Sequence, residues 1–291
     1  MSAASAKLRV VAAVLLGLLI AAAFGSGDFA GGRASVSAST AAVLVISQAC
    51  SVVGALVLAI LVSARIAPHD LAYGAIAGAA NILGLGLLYQ ALARHAAGVV
   101  APVTAVVGAA VPIAWGLVHG ERPSILVWIG ITLAVVAGAL IAREPDETSG
   151  MSLARGVPEA VAAGIALGSS LVLYSETSDR SGQWPVFVAR ICALALAAIA
   201  VAVLARGRPV ALPRGSARSL AIGAGLFDFT ATALLLVAVR RELLSIVAPV
   251  ISLAPAFTVL LAWRLAGERL HALQRAGLVV ALAGLVLVAI G

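Results

Sequence analysis

The segment GAIAGAANILGLGLLYQALARHAAGVVAPV, residues 74–103, returns in altered form as AIGAGLFDFTATALLLVAVRRELLSIVAPV, residues 221–250. Both stretches exceed the ~20 apolar residues that cross a ~30 Å hydrocarbon core, and both close on the same four letters, Val100 to Val103 and Val247 to Val250. The shift of 147 positions aligns residues 73–136 with 220–283 without a gap and gives 17 identities in 64 columns. Chance in so Ala-, Leu- and Val-rich a chain supplies roughly 6 or 7. The matches cluster: Gly120, Glu121 and Arg122 fall on Gly267, Glu268 and Arg269, and Arg94 falls on Arg241. The third, fourth and fifth apolar segments therefore repeat as the eighth, ninth and tenth.

Outward from this pair, apolar segments centre near residues 20, 52, 82, 107, 132, 165, 196, 229, 254 and 281. Of 291 residues 63% are hydrophobic and 11% charged, against about 45–50% and about 25% in a soluble domain, so no soluble core could hide this apolar surface. Backbone amides in hydrocarbon must be paired within the chain, and a barrel would alternate polar with apolar residues. The runs here are unbroken, which predicts an all-α integral membrane protein with ten transmembrane helices. Five helices per half is an odd number, so the second half enters the bilayer from the opposite side. The expectation is two inverted five-helix repeats, residues 1–149 and 150–291, meeting at the polar stretch REPDETSGMSLAR. Inverted repeats recur in secondary transporters, where two copies rocking about a midplane site give two alternately open states.

The formal net charge of +7 comes from basic residues scattered between apolar segments, where they meet headgroups rather than a nucleic acid. Cys50 and Cys192 lie in separate apolar runs and read as small core residues. Lys7 and Arg9 ahead of an apolar run ending in Ala21, Ala22 and Ala23 have the outline of a signal peptide, but apolar character resumes behind them. No HExxH, paired CxxC, P-loop or GxSxG occurs, so no cofactor, metal or enzyme activity is expected.

Polar groups at membrane depth are costly and are functional candidates by default. Asn81 and Asp228 occupy equivalent repeat positions; Asp228 must be paired, wetted or protonated, which suits a proton-carrying carboxylate. Asp28 is flanked by Gly27 and Gly31, a small-xxx-small spacing that admits a close neighbour. Glu176 and Arg190, near the sixth and seventh segments, either face a cavity or snorkel to the interface. Three carboxylates and one guanidinium in one cavity would favour a cationic or zwitterionic solute over an anion. Tyr89 is a further lining candidate. Pro102, Pro249 and Pro255 are expected to kink the fourth and ninth helices and free carbonyls. Glu121 with Arg122, and Glu268 with Arg269, read as structural pairs or caps at helix ends.

FGSGDF at residues 24–29, LYQAL before VAPV, and the repeated GER resemble the EamA-like branch of the drug/metabolite transporter superfamily over nearly the whole chain. The resemblance implies ten helices around a central cavity, alternating access, and export or exchange of small metabolites, amino acids or drugs. Its partners would be a small-molecule substrate, the lipid bilayer and protons. It places the chain in the cell membrane with both termini cytoplasmic, which Lys7 and Arg9 support although the total Lys/Arg count leans the other way. Two other readings find less support in the sequence. A passive channel lacks a ring of repeated charges. An intramembrane aspartyl protease would use the GSGD at Gly25 to Asp28 with Asp228, but the motif order is reversed and PAL is absent.

Overall fold

The computed structural model describes residues 3–62, 64–120, 124–142, 153–207, 209–240, 253–268 and 272–290. Within them the chain is helical, without strand. It forms α1 (Ala3–Ser35), α2 (Thr40–Leu61), α3 (Pro68–Arg94), α4 (Ala97–Val118), α5 (Ile125–Ala142), α6 (Leu153–Ser175), a 3₁₀ turn (Asp179–Ser181), α7 (Trp184–Ala205), α8 (Ser216–Arg240), α9 (Ala254–Ala266) and α10 (Ala272–Ile290). Six helices, in α1, α2, α3, α4, α6 and α7, are long and apolar enough to cross a membrane. At 1.5 Å per residue a 22-residue helix such as α2 spans about 33 Å. Leu15, Val53, Leu83 and Val279 stand outward at 57–65% exposure, as lipid-facing side chains do.

One expectation needs correcting at the ninth segment. A helix centred near residue 254 was expected, with Pro255 kinking its interior. Instead α9 begins at Ala254, runs only 13 residues, and carries Pro255 in its first turn. There the missing N–H has no intrahelical partner to lose, and the fixed φ favours helix initiation. Pro249 lies outside the described residues. Pro102 does sit within α4 and is fully buried.

The glycines of the two GER motifs mark helix stops, while Glu121, Arg122 and Arg269 lie outside the described residues. Gly120 and Gly267 follow α4 and α9 with φ of 85° and 72°, the left-handed conformation that glycine adopts without a Cβ penalty. Glu268 then reaches across to another helix, accepting the N–H of Ala97 at the start of α4 at 2.9 Å. Burial pushes the Glu268 carboxyl above its ordinary range, while that N–H and Arg33 pull it back down.

Packing joins the halves. α1 lies against α8, α9 and α3; α6 lies against α3 and α4; α2 contacts α7 and α8; α7 contacts α3; and α10 lies along α5. Two glycines set the closest approaches. A Cβ on Gly78 of α3 would come within 2.2 Å of the Ala189 carbonyl oxygen on α7, and one on Gly225 of α8 would meet the Ser47 carbonyl oxygen on α2 at the same distance. Gly78 and Gly225 are partners under the 147-residue shift. Threonine bridges also recur: Thr104 of α4 donates to the Ala160 carbonyl of α6 at 3.2 Å, and Thr258 of α9 donates to the Gly25 carbonyl of α1 at 3.1 Å.

Candidate functional site

Where α2, α7 and α8 meet, the apolar interior is interrupted by charge. Arg190 on α7 is 8% exposed and its Nη1 lies 2.7 Å from Asp228 Oδ2 on α8. Its Nη2 donates to Thr232 Oγ1 at 3.3 Å, and Thr232 donates in turn to the Asp228 carbonyl at 2.9 Å. Nη1 also approaches Gln48 Oε1 of α2 at 3.5 Å. Ser51, one turn beyond Ser47 and Gln48, donates to Asp228 Oδ2 at 3.2 Å and to the Gly225 carbonyl at 3.1 Å. The close approach at Gly225 brings the α2 serines within reach of α8.

A buried charge is tolerated only when paired and hydrogen-bonded. Asp228 meets that condition through Arg190 and Ser51, so its carboxylate is already committed. Asp28 on α1 is different. It is half-buried, with no hydrogen-bond donor among the described residues, and its neighbour Gly27 packs on α8 at Asp228, where an added Cβ would lie 3.7 Å from the Asp228 backbone nitrogen. Tyr89 on α3 is 1% exposed. Its ring lies against Gly31, where a Cβ would fall 2.2 Å from ring carbon; the glycine therefore makes room for the ring one turn past Asp28. Gln48 Nε2 and Ser47 Oγ are fully buried and without a partner among the described residues.

Asp28, Tyr89, Arg190 and Asp228 thus come together from four helices. Arg190 does not snorkel. Glu176 stands apart: it is exposed beyond the end of α6 and accepts from Trp115 Nε1 at 3.2 Å. Its carboxylate has open water at the helix end, which is cheaper than burial. Asn81 is half-buried on α3 and not hydrogen-bonded to the cluster. Gln48, Ser47, Ser51 and Thr232 carry no charge to mark them, and amides and hydroxyls of this kind are common in apolar helices, so the sequence alone does not single them out for this cluster.

A groove of about 800 Å³ runs between α2, α3 and α7. Ser35, Ser39, Thr40, Gln90 and Arg94 form its polar mouth, and Leu44, Ile82, Leu83 and Leu196 its apolar body. It reaches Leu44, one turn of α2 short of Gln48.

Residues 154–290 match the EamA-like transporter family. No curated protein matches the sequence. A solved structure described only as "Crystal structure of protein" covers 99% of this chain and 98% of its own, at 16% identity and a TM-score of 0.56, a likeness of fold. Its second half matched to a transporter family and its helices built to span a bilayer, the chain is a multi-pass membrane protein.

Proposed function

We propose that this chain, EamA-like over residues 154–290, is a ten-helix secondary transporter of a small solute, built as two inverted five-helix repeats that rock about the Asp28, Arg190 and Asp228 cluster. The family match covers the second half, and the 147-residue repeat carries it to the first. Packing supports the inversion. The contact of α1 with α8 has its counterpart in α6 with α3, that of α2 with α8 in α7 with α3, and that of α1 with α9 in α6 with α4. Because Gly225 abuts Ser47 as its mate Gly78 abuts Ala189, the next residues, Gln48 and Arg190, are equivalent and meet at the axis.

The single observation that carries the reading is the uncommitted Asp28 beside a satisfied Arg190–Asp228 pair. A mobile proton or an ammonium group can occupy the first without dismantling the second. With Glu176 outside, two carboxylates and one guanidinium remain, a net negative site that still favours a cationic or zwitterionic solute. The coupling role moves from Asp228 to Asp28. Export across the cell membrane with cytoplasmic termini follows the family resemblance.

The proximity of Asp28 to Asp228 also revives the protease reading. An aspartyl dyad shares one proton between two free carboxylates, however, and here Arg190 holds one of them. Proteoliposomes with an imposed pH gradient and labelled amines, amino acids and lipophilic cations test both. Gradient-driven flux is expected in the wild type and is lost in Asp28→Asn, with no cleavage of membrane peptides. Flux that ignores Asp28→Asn would refute the coupling role.

A further inference from the structure

At the opposite end of α3 from the groove mouth, Asp70 is 3% exposed and collects three donors from the turn between α6 and α7. Ser178 gives its N–H to Oδ1 at 3.2 Å and its hydroxyl to Oδ2 at 2.6 Å, and Ser181 Oγ reaches Oδ2 at 2.5 Å. Ser181 in turn accepts the Ala67 N–H at 3.2 Å, and the Arg65 N–H donates to the Arg180 carbonyl at 2.8 Å. Every one of these bonds ties the α2–α3 connection or the first turn of α3 to the α6–α7 connection. His69, on the solvent side, is the only other charged or titratable side chain within ion-pair distance of Asp70 among the described residues, at 3.5 Å.

The inverted counterparts of these two connections are the α7–α8 and α1–α2 segments, at the other face. There Ser39 N–H donates to the Ala211 carbonyl at 2.8 Å, and the shift of 147 places Ala217 opposite Asp70, a side chain that accepts nothing. The groove opens on that face, between Ser35 and Thr40.

We propose that Asp70, Ser178 and Ser181 form a latch that holds one face of the protein shut, present in one repeat and absent from the other, so that the resting state is the one open at Ser39 and Thr40. The reading takes its meaning from the alternating-access proposal above. Its chemistry suits a reversible gate. Hydrogen bonds to an ionised carboxylate are stronger than neutral ones, and the three donors sit on one short turn, so they break together when that turn leaves α3. Water at the face then replaces the serines, and no second buried charge is left unpaired, as it would be in a salt bridge.

The test is labelling of a buried cysteine by an impermeant maleimide in full-length protein in lipid nanodiscs. In a Cys50→Ala/Cys192→Ala background, Ala77→Cys reports on the packing of α3; Ala77 is fully buried two turns from Asp70. Adding Asp70→Ala is expected to raise its labelling rate about tenfold, the population change for roughly one charge-assisted hydrogen bond lost. Ser178→Ala/Ser181→Ala, which keeps the carboxylate and guards against misfolding of the first variant, is expected to act in the same direction. Unchanged labelling in both latch variants overturns the proposal, as does an equal rise at Ala137→Cys on α5, which would mean general loosening. No solute is needed for this readout. A latch that responds in a protein that moves nothing would stand while the transport reading fell, and flux with an unresponsive latch would do the reverse.

Discussion

Replacing Arg190 by methionine keeps most of the side-chain volume and deletes the charge that compensates Asp228. At 2.7 Å the pair attracts by ~6 kcal/mol at an effective dielectric of about 20, most of which offsets the desolvation of two nearly buried ions. The variant forfeits the attraction and keeps the desolvation of Asp228, with Ser51 as its remaining donor. The expected cost is about 3–5 kcal/mol. Asp228→Leu strands Arg190 on Gln48 and Thr232 and should cost a similar amount. The double variant Arg190→Met/Asp228→Leu removes both ions and should return to within about 1 kcal/mol of wild type, giving a coupling energy of at least about 5 kcal/mol, the sum of the two single costs less that of the double. Denaturing-detergent titration in mixed micelles, read by the fluorescence of the four tryptophans, supplies all three numbers. A single-variant cost under about 1 kcal/mol, the range of exposed pairs, would refute the argument, because the ions would then have to be hydrated in the native state. The double variant also separates scaffold from mechanism: it should fold and carry no gradient-driven flux.

Gly78→Ala and Gly225→Ala should each cost about 1–3 kcal/mol by overpacking, since each new methyl meets backbone at 2.2 Å. Gly223→Ala, whose nearest neighbour would be 4.0 Å away, should instead gain up to about 1 kcal/mol from helix propensity; the same titration orders the three. Glu176→Gln should leave transport within about twofold of wild type, and a loss comparable to that of Asp28→Asn would return Glu176 to the site. Because burial raises the Glu268 carboxyl in the folded state, wild-type stability should fall as pH rises from the range of a free glutamate through that raised value. Glu268→Gln should flatten this slope while keeping an acceptor for Ala97, and thermal melting from pH 4 to 8 reads it.

Much of this was legible because charge in an apolar run is conspicuous. Asp28, Arg190 and Asp228 stood out as ionisable groups where hydrocarbon was expected, and Tyr89 as a polar tip on a long apolar helix. What periodicity cannot convey is which helices face one another, so nothing in the sequence paired Arg190 with Asp228 or set Glu176 apart. The ninth segment misled because the apolar run around residue 254 hides a helix start, and Pro255 reads the same inside a helix as at its first turn until φ and partners are known. Asp70 escaped notice because a carboxylate at the edge of a linker resembles any solvated loop charge; its three serine donors come from more than a hundred residues away. The GER glycines do follow helix ends, but the reach of Glu268 to α4 needed the fold.

The meeting of Gln48 with Arg190 has a bearing on ancestry. A pair of identical five-helix chains related by a two-fold axis would place the same residue on both sides of that axis, either two arginines repelling each other or two glutamines with no cation for the neighbouring acid. Covalent fusion lifts that restriction. Once both copies are encoded in one polypeptide, each can drift separately, and one can hold the guanidinium while its twin becomes the neutral amide that accepts from it. An off-centre charge thus requires two halves of different sequence, which one polypeptide supplies and two identical chains cannot.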